Sequence, residues 1–162
     1  MRKFHKMVYF LALSFIIIPA MAIAGQYKVI RVIDGDTILI RYNGKYEKVR
    51  LICVNPPKSV HPDKKQNMTM AEVAFRYTQK QLTGKYVDLE FESWIRGRHG
   101  VLLAYVFVDG KNINLDLVRK GLSPYYIKYG RSQKYDADFR AAQKQARKEK
   151  LNIWDDRERT KK

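Results

Sequence analysis

The sequence predicts an α+β chain that is mainly β, with five strands closed into a small barrel and three helices packed against it. Short β-branched and apolar runs alternate with turn signals in the order β-β-β-α-β-β-α-α, which fits a small barrel better than a parallel sheet. The length of 162 residues suffices for one domain with a real core, and no internal repeat or domain boundary divides it.

The first segment stands apart from the fold. Arg2, Lys3 and Lys6 precede an uncharged stretch from Met7 to Ala24, Pro19 interrupts the apolar run, and Ala22-Ile23-Ala24 has the small-x-small form of a secretory cleavage site. Residues 1–24 are expected to be a signal peptide cut after Ala24. The alternative is an uncleaved anchor, since about 18 apolar residues lie near the lower limit for crossing a bilayer. No cysteine follows the run, which disfavours a lipid anchor. The mature chain is expected to be periplasmic or secreted, without stable membrane association after cleavage, and monomeric. Its domain spans residues 25–156, and residues 157–162 form a basic tail.

Within the domain, residues 27–33 read as a first strand, Asp34-Gly35-Asp36 as a tight turn and residues 37–42 as a second strand. Asn43-Gly44 is the strongest hairpin signal, so residues 45–54 return antiparallel to their partner. Asn55-Pro56-Pro57 ends that strand because proline donates no ladder hydrogen bond. A polar loop covers residues 58–67. Residues 69–82 read as a helix with Gly84 just past its end. Strands follow at 86–94 and 101–108, and Asp109-Gly110 marks a turn. Asn112 or Asn114 caps a short helix through Lys120 that Gly121 stops. Residues 135–150 form the last helix, with Phe139, Ala142 and Ala146 as its apolar stripe. Trp154 packs the chain end back onto the body, and a solvated tail follows. This arrangement points to an OB-type barrel, a fold whose strand face and adjoining loops hold oligonucleotides.

Charge narrows the partners. The chain carries 32 Lys and Arg against 16 Asp and Glu, net +16. Loss of Arg2, Lys3 and Lys6 with the leader leaves 29 against 16, net +13. Such a charge attracts polyanions: nucleic acid (DNA or RNA) first, an anionic membrane surface or envelope polymer as the competitor. Cys53 is the only cysteine, so no intramolecular disulfide forms, and its apolar surroundings mark a buried, inert thiol.

Ile33-Asp34-Gly35-Asp36-Thr37, Val49-Arg50-Leu51 and the Asn-Pro-Pro corner lie on successive antiparallel strands whose ends converge at one barrel rim. Together with Leu103-Ala104-Tyr105, Asp109-Gly110-Lys111, Leu117-Val118-Arg119-Lys120-Gly121-Leu122 and Lys148-Glu149-Lys150-Leu151-Asn152-Ile153-Trp154, the first two of these runs resemble the staphylococcal nuclease (thermonuclease) family. The likeness runs in order and spacing over roughly residues 27–156. It implies hydrolysis of DNA and RNA phosphodiesters with a calcium ion. By this resemblance Asp36 falls on a carboxylate metal ligand, Arg50 on the catalytic arginine that holds the scissile phosphate, and Asp34 and Thr37 complete the turn. A hard cation wants oxygen ligands and a guanidinium fork suits a phosphate, so the implied roles are chemically coherent.

The remaining positions depart from the family pattern. Asn55 replaces the second metal carboxylate with a neutral amide, although the carbonyl of Pro56 remains a ligand. Lys58 stands at the place of the glutamate that activates water, and a protonated amine has no lone pair with which to take a proton. Val101 replaces the second arginine, with Arg96 or Arg98 as improvised substitutes. A lost general base is worth about 10²–10⁴ in rate and a lost electrostatic donor about 10²–10³. The expectation is therefore a nucleic-acid binder with weak or no hydrolysis and a weakened calcium site. The alternatives are a calcium-dependent endonuclease with a rearranged site and a cationic envelope-interaction protein.

The remaining candidates are weaker. Asp63 or Glu72 could supply a relocated base. His61 and His99 lack metal-ligand spacing and read as surface residues. The segment Tyr125-Tyr126-Ile127-Lys128-Tyr129-Gly130-Arg131 interleaves rings with cations. Tyr125, Tyr126, Lys128, Tyr129 and Arg131 are accordingly predicted contacts to nucleic acid beside Arg50 and Lys58, the alternative being a packed connector. Lys144, Arg147, Lys148 and Lys150 read as a solvated helix face.

Overall fold

A computed structural model describes residues 26–58 and 69–159; the predicted leader and the loop bearing His61 and Asp63 lie outside the described residues. Strands β1 (Tyr27–Asp34), β2 (Thr37–Tyr42) and β3 (Lys45–Leu51) form the predicted meander. Alternation of side chains places Ile38, Ile40, Val49 and Leu51 inside with no exposure. The β2–β3 hairpin turns at Asn43 and Gly44, both at positive φ (47° and 78°), as an Asn-Gly turn demands.

Helix α1 (Met70–Leu82) starts where the Thr69 hydroxyl accepts a hydrogen bond from the Glu72 amide, and it lies across β1. Strand β4 (Tyr86–Glu90) pairs with β1, and β5 (Leu102–Val108) pairs with β4. Parallel pairing of β3 with β5, Val49 opposite Leu102 and Leu51 opposite Ala104, closes the five strands into a barrel.

Three strands differ from expectation. The one predicted to reach residue 54, β3, ends at Leu51, and Val54 makes only an isolated bridge to Tyr125. The strand predicted to reach Trp94 ends at Glu90, because the Glu92 carboxylate is drawn into the interior, where it accepts hydrogen bonds from the Tyr105 hydroxyl and the Gln133 amide. Past the Asp109-Gly110 turn, Lys111–Asn112 adds a two-residue sixth strand, β6, to the end of β5.

Helix α2 (Ile113–Arg119) is capped by Asn112, whose Oδ1 accepts from the Leu115 amide at 3.0 Å. Asn114, the other predicted cap, is fully buried instead. Its Oδ1 accepts from the Val106 amide (2.9 Å) and its Nδ2 donates to the carbonyls of Ile52 (2.9 Å) and Ala104 (3.0 Å). One side chain thus pins the turn after β3 to β5. Helix α3 (Asp136–Lys148) carries Asp136 and Asp138 in its first turn and Arg147 and Lys148 in its last, matching the helix dipole. Phe139 and Ala146, both without exposure, lie on its inner stripe. The predicted tail begins with one helical turn, α4 (Asp156–Arg159), and the Arg147 guanidinium covers the Trp154 ring at 4.2 Å. No helix among the described residues is long and apolar enough to cross a membrane.

Candidate active site and adjoining cleft

The site is built at the turn between β1 and β2. Gly35 permits a close approach: a Cβ there would lie 3.3 Å from the Cβ atoms of both Ala74 on α1 and Pro56. The Gly35 carbonyl accepts from the Thr78 hydroxyl of α1 at 2.8 Å, so helix and proline corner both pack on the turn. The adjoining Asp36 carboxylate has no solvent exposure. A buried carboxylate needs compensating cations and donors. Asp36 has three: the Thr37 hydroxyl (2.9 Å), Arg50 Nη2 (2.9 Å) and Lys58 Nζ (3.1 and 3.2 Å to its two oxygens).

Lys58 Nζ also lies 2.6 Å from Asp34 Oδ2, so the ammonium bridges both carboxylates of the turn. Its reach is set by the corner before it. The Asn55 amide donates to the Ser123 hydroxyl at 2.8 Å, and two successive prolines of restricted φ connect that anchor to Lys58. The Asn55 side-chain oxygen accepts from Arg50 Nη2 at 3.4 Å.

The expected calcium ligands fit that ion poorly. Calcium takes six to eight oxygens at about 2.3–2.6 Å. Here Asp36 is engaged by two cations, Asn55 faces the guanidinium of Arg50, and Pro56 packs beneath the turn. Among the described residues, no three His, Cys, Asp or Glu side chains converge as a metal cage.

Beside this cluster runs a cleft of about 680 Å³, lined by Lys48, Arg50, Asn55, Trp94, Arg96, Val101, Tyr126 and Tyr129 among others. Strand alternation explains the basic wall, since Lys48 and Arg50 flank the inward Val49 and share the opposite face. Arg96 forks onto Glu47 (3.0 and 3.1 Å), and this bonded guanidinium holds the Glu47 carboxyl below its usual range. Arg96 also donates to the Gly100 carbonyl. It is therefore a brace for the turn at Arg98–Gly100 and not a loose substitute for an arginine at Val101. The side chain of Arg98 lies outside the described residues. His99 is exposed at positive φ (65°) in that turn.

The predicted aromatic–basic segment divides. Tyr126 and Tyr129 line the cleft, and Tyr129 is 71% exposed. Tyr125 belongs to the core: 9% exposed, stacked on Phe139 at 4.9 Å, its hydroxyl donating to Asp136 and accepting from the Ser132 amide. Lys128 lies over the Tyr129 ring at 5.9 Å, and Arg131 faces Asp136 at 3.8 Å, both off the cleft lining. Lys58, turned onto the two aspartates, is likewise not a lining residue. Glu72 is bound to Arg76 on the outer face of α1 and does not approach Asp36 or Arg50 through any hydrogen bond.

Cys53 lines the cleft and is half-buried instead of fully buried as expected; it contacts the Tyr105 hydroxyl at 3.7 Å, and partial burial pushes its thiol up to about 11. Two lining residues escaped the sequence reading. Lys48 was available from the period-two pattern around Arg50, whereas Trp94 was hidden in a run that reads as the end of β4.

A barrel with this turn, this arginine and this helical support is the architecture of a nuclease-type module, and comparison with known proteins agrees. Residues 48–156 match the family model described as staphylococcal nuclease homologue. The chain is 38% identical over 130 residues to the thermonuclease of Staphylococcus intermedius, covering 80% of this chain and 76% of that protein. It is 40% identical over 128 residues to the thermonuclease of Staphylococcus hyicus, covering 79% and 75%. It is also 37% identical to Endonuclease YncB of Bacillus subtilis, over 76% of this chain and 59% of that protein. The chain belongs to the staphylococcal nuclease family.

Proposed function

We propose that the mature chain is an exported nucleic-acid-binding protein of this family with weak or no phosphodiesterase activity. The observation that supports the reading is the ammonium of Lys58 bonded to Asp34 and Asp36, at the position where the family resemblance implies a general base. As an ammonium it has no lone pair with which to take a proton, and its donors are directed at carboxylates instead of a phosphate.

Binding draws on the cleft. Arg50, with its side chain 36% exposed, offers its remaining N–H groups to a phosphate, and Lys48 adds charge along the same strand. Tyr126, Tyr129 and Trp94 give ring faces for bases, a sequence-tolerant mode worth about 1–3 kcal/mol per base. Lys128 and Arg131 act as steering charges outside the cleft, and the net +13 of the mature chain draws the polyanion in. DNA and RNA both present these chemical groups. On this reading the protein acts as a monomer and calcium is dispensable.

The names of its relatives, thermonuclease and endonuclease, favour a second reading, nucleolytic cleavage by a rearranged site. It would need a new base and a recruited cation, and calcium would be the cofactor.

Binding of a labelled single-stranded oligonucleotide in chelator tests the first reading. Affinity should persist without calcium, fall at least tenfold between 50 and 200 mM salt, and weaken in Arg50→Ala. Affinity that is absent in chelator, or indifferent to salt, would reject it.

A further inference from the structure

We infer that Lys58 is a tethered counter-ion that holds the place of a divalent cation, so that this site assembles without metal and stays closed to calcium. The inference deepens the binding reading above and rests on the same site.

The charges make the case. Asp34 and Asp36 supply two negative charges, Arg50 and Lys58 two positive ones, and the four groups lie within 2.6–3.2 Å of one another along the chain of contacts. The cluster is neutral as it stands. A divalent cation entering it would raise the sum to +2 around a carboxylate with no solvent exposure. It would also have to displace an ammonium that cannot diffuse away. A group on a short tether competes at an effective concentration in the millimolar range or above, and here the tether is stiffened by Pro56-Pro57 and anchored where Asn55 meets Ser123. The substitutions at positions 55 and 58 then form one coupled change. A neutral amide at 55 leaves only the carboxylates of Asp34 and Asp36 to be balanced, and an amine at 58 supplies the positive charge that a metal would otherwise bring.

The test is calcium binding by the mature chain, read by titration calorimetry and by thermal unfolding in calcium against chelator. The wild-type protein should give no saturable heat at micromolar to low millimolar calcium and no change in Tm. The Asn55→Asp/Lys58→Glu double variant should gain a saturable site and a calcium-dependent rise in Tm of several degrees. Saturable binding by the wild-type chain that Asp36→Asn abolishes would overturn the inference, as would a folded double variant that takes up no calcium. Should the double variant fail to fold, the wild-type titration alone decides. Oligonucleotide binding measured on the same samples separates the two ideas. A wild type that takes calcium yet binds DNA without cutting it sinks only this inference. A wild type that takes neither sinks only the binding reading.

Discussion

Asp36 is the most constrained side chain of the site, fully buried and bonded to a hydroxyl, a guanidinium and an ammonium. Asp36→Ala should cost about 3 kcal/mol in denaturant unfolding, at the lower end for a broken buried pair because Arg50 and Lys58 still reach water. A change below about 0.5 kcal/mol would mean that the cluster does not support the fold. Cys53 offers a second check. With its thiol pushed up by burial from 9.0 to about 11, alkylation at neutral pH should be about 100-fold slower than for an exposed cysteine. Single residues also show why the site was only partly legible. Asp34, Asp36, Arg50 and Asn55 are fixed by motif, so their convergence is readable. The direction of a long amine is not, and Lys58 turned to the aspartates instead of outward. Tyr125 and Tyr126 are neighbours of one residue type, yet one stacks in the core and the other lines the cleft.

Two contacts between elements hold the cleft in shape. Asn114 ties the turn after β3 to β5, and Asn114→Ala would leave the Val106 amide and the Ile52 carbonyl without that partner inside the protein. A loss of about 2–4 kcal/mol is expected by chemical denaturation. Gly121 ends α2 at φ +63°, and a Cβ there would meet the Leu151 carbonyl oxygen at 2.3 Å. Gly121→Ala should therefore loosen the segment after α3, lowering Tm and exposing Trp154 to quenchers. Between α1 and α2, burial raises the Asp116 carboxyl. The hydrogen bonds from Lys111 and Tyr77 and the charges of Lys111 and Lys120 outweigh this and hold it below its ordinary 3.8. A carboxyl depressed in the folded state adds stability above its unfolded value and loses it as pH falls through the folded one. Asp116→Asn should thus flatten the loss of stability below about pH 4, and an unchanged acid limb would contradict this. At this level the strands were readable from alternation and turns. The exceptions, Glu92 and Asn114, are polar side chains drawn inside, which no periodicity announces.

Across the whole molecule, the barrel was legible because hairpin chemistry, proline breaks and strand order all agree with one topology. The parallel β3–β5 closure followed from that topology and not from any local signal. Family membership describes the barrel well and the chemistry less well. On the function proposed above, Arg50 keeps the frame that positions a phosphate, while Asn55, Lys58 and Val101 stand where the family resemblance implies the groups that would act on it. The proposed function would give the strong positive charge a direct role, bringing a polyanion to a cleft with basic and aromatic walls.

The decisive measurement is a cleavage assay on purified residues 25–162, with single-stranded and duplex DNA and with RNA, in calcium and in chelator, and with Arg50→Ala as the control for contaminating nuclease. Little or no cleavage is expected in every arm, while the same protein retains salt-sensitive binding. Calcium-dependent cleavage that chelator stops and Arg50→Ala abolishes would contradict this expectation, and would show that the site has recruited both a base and a metal despite Lys58.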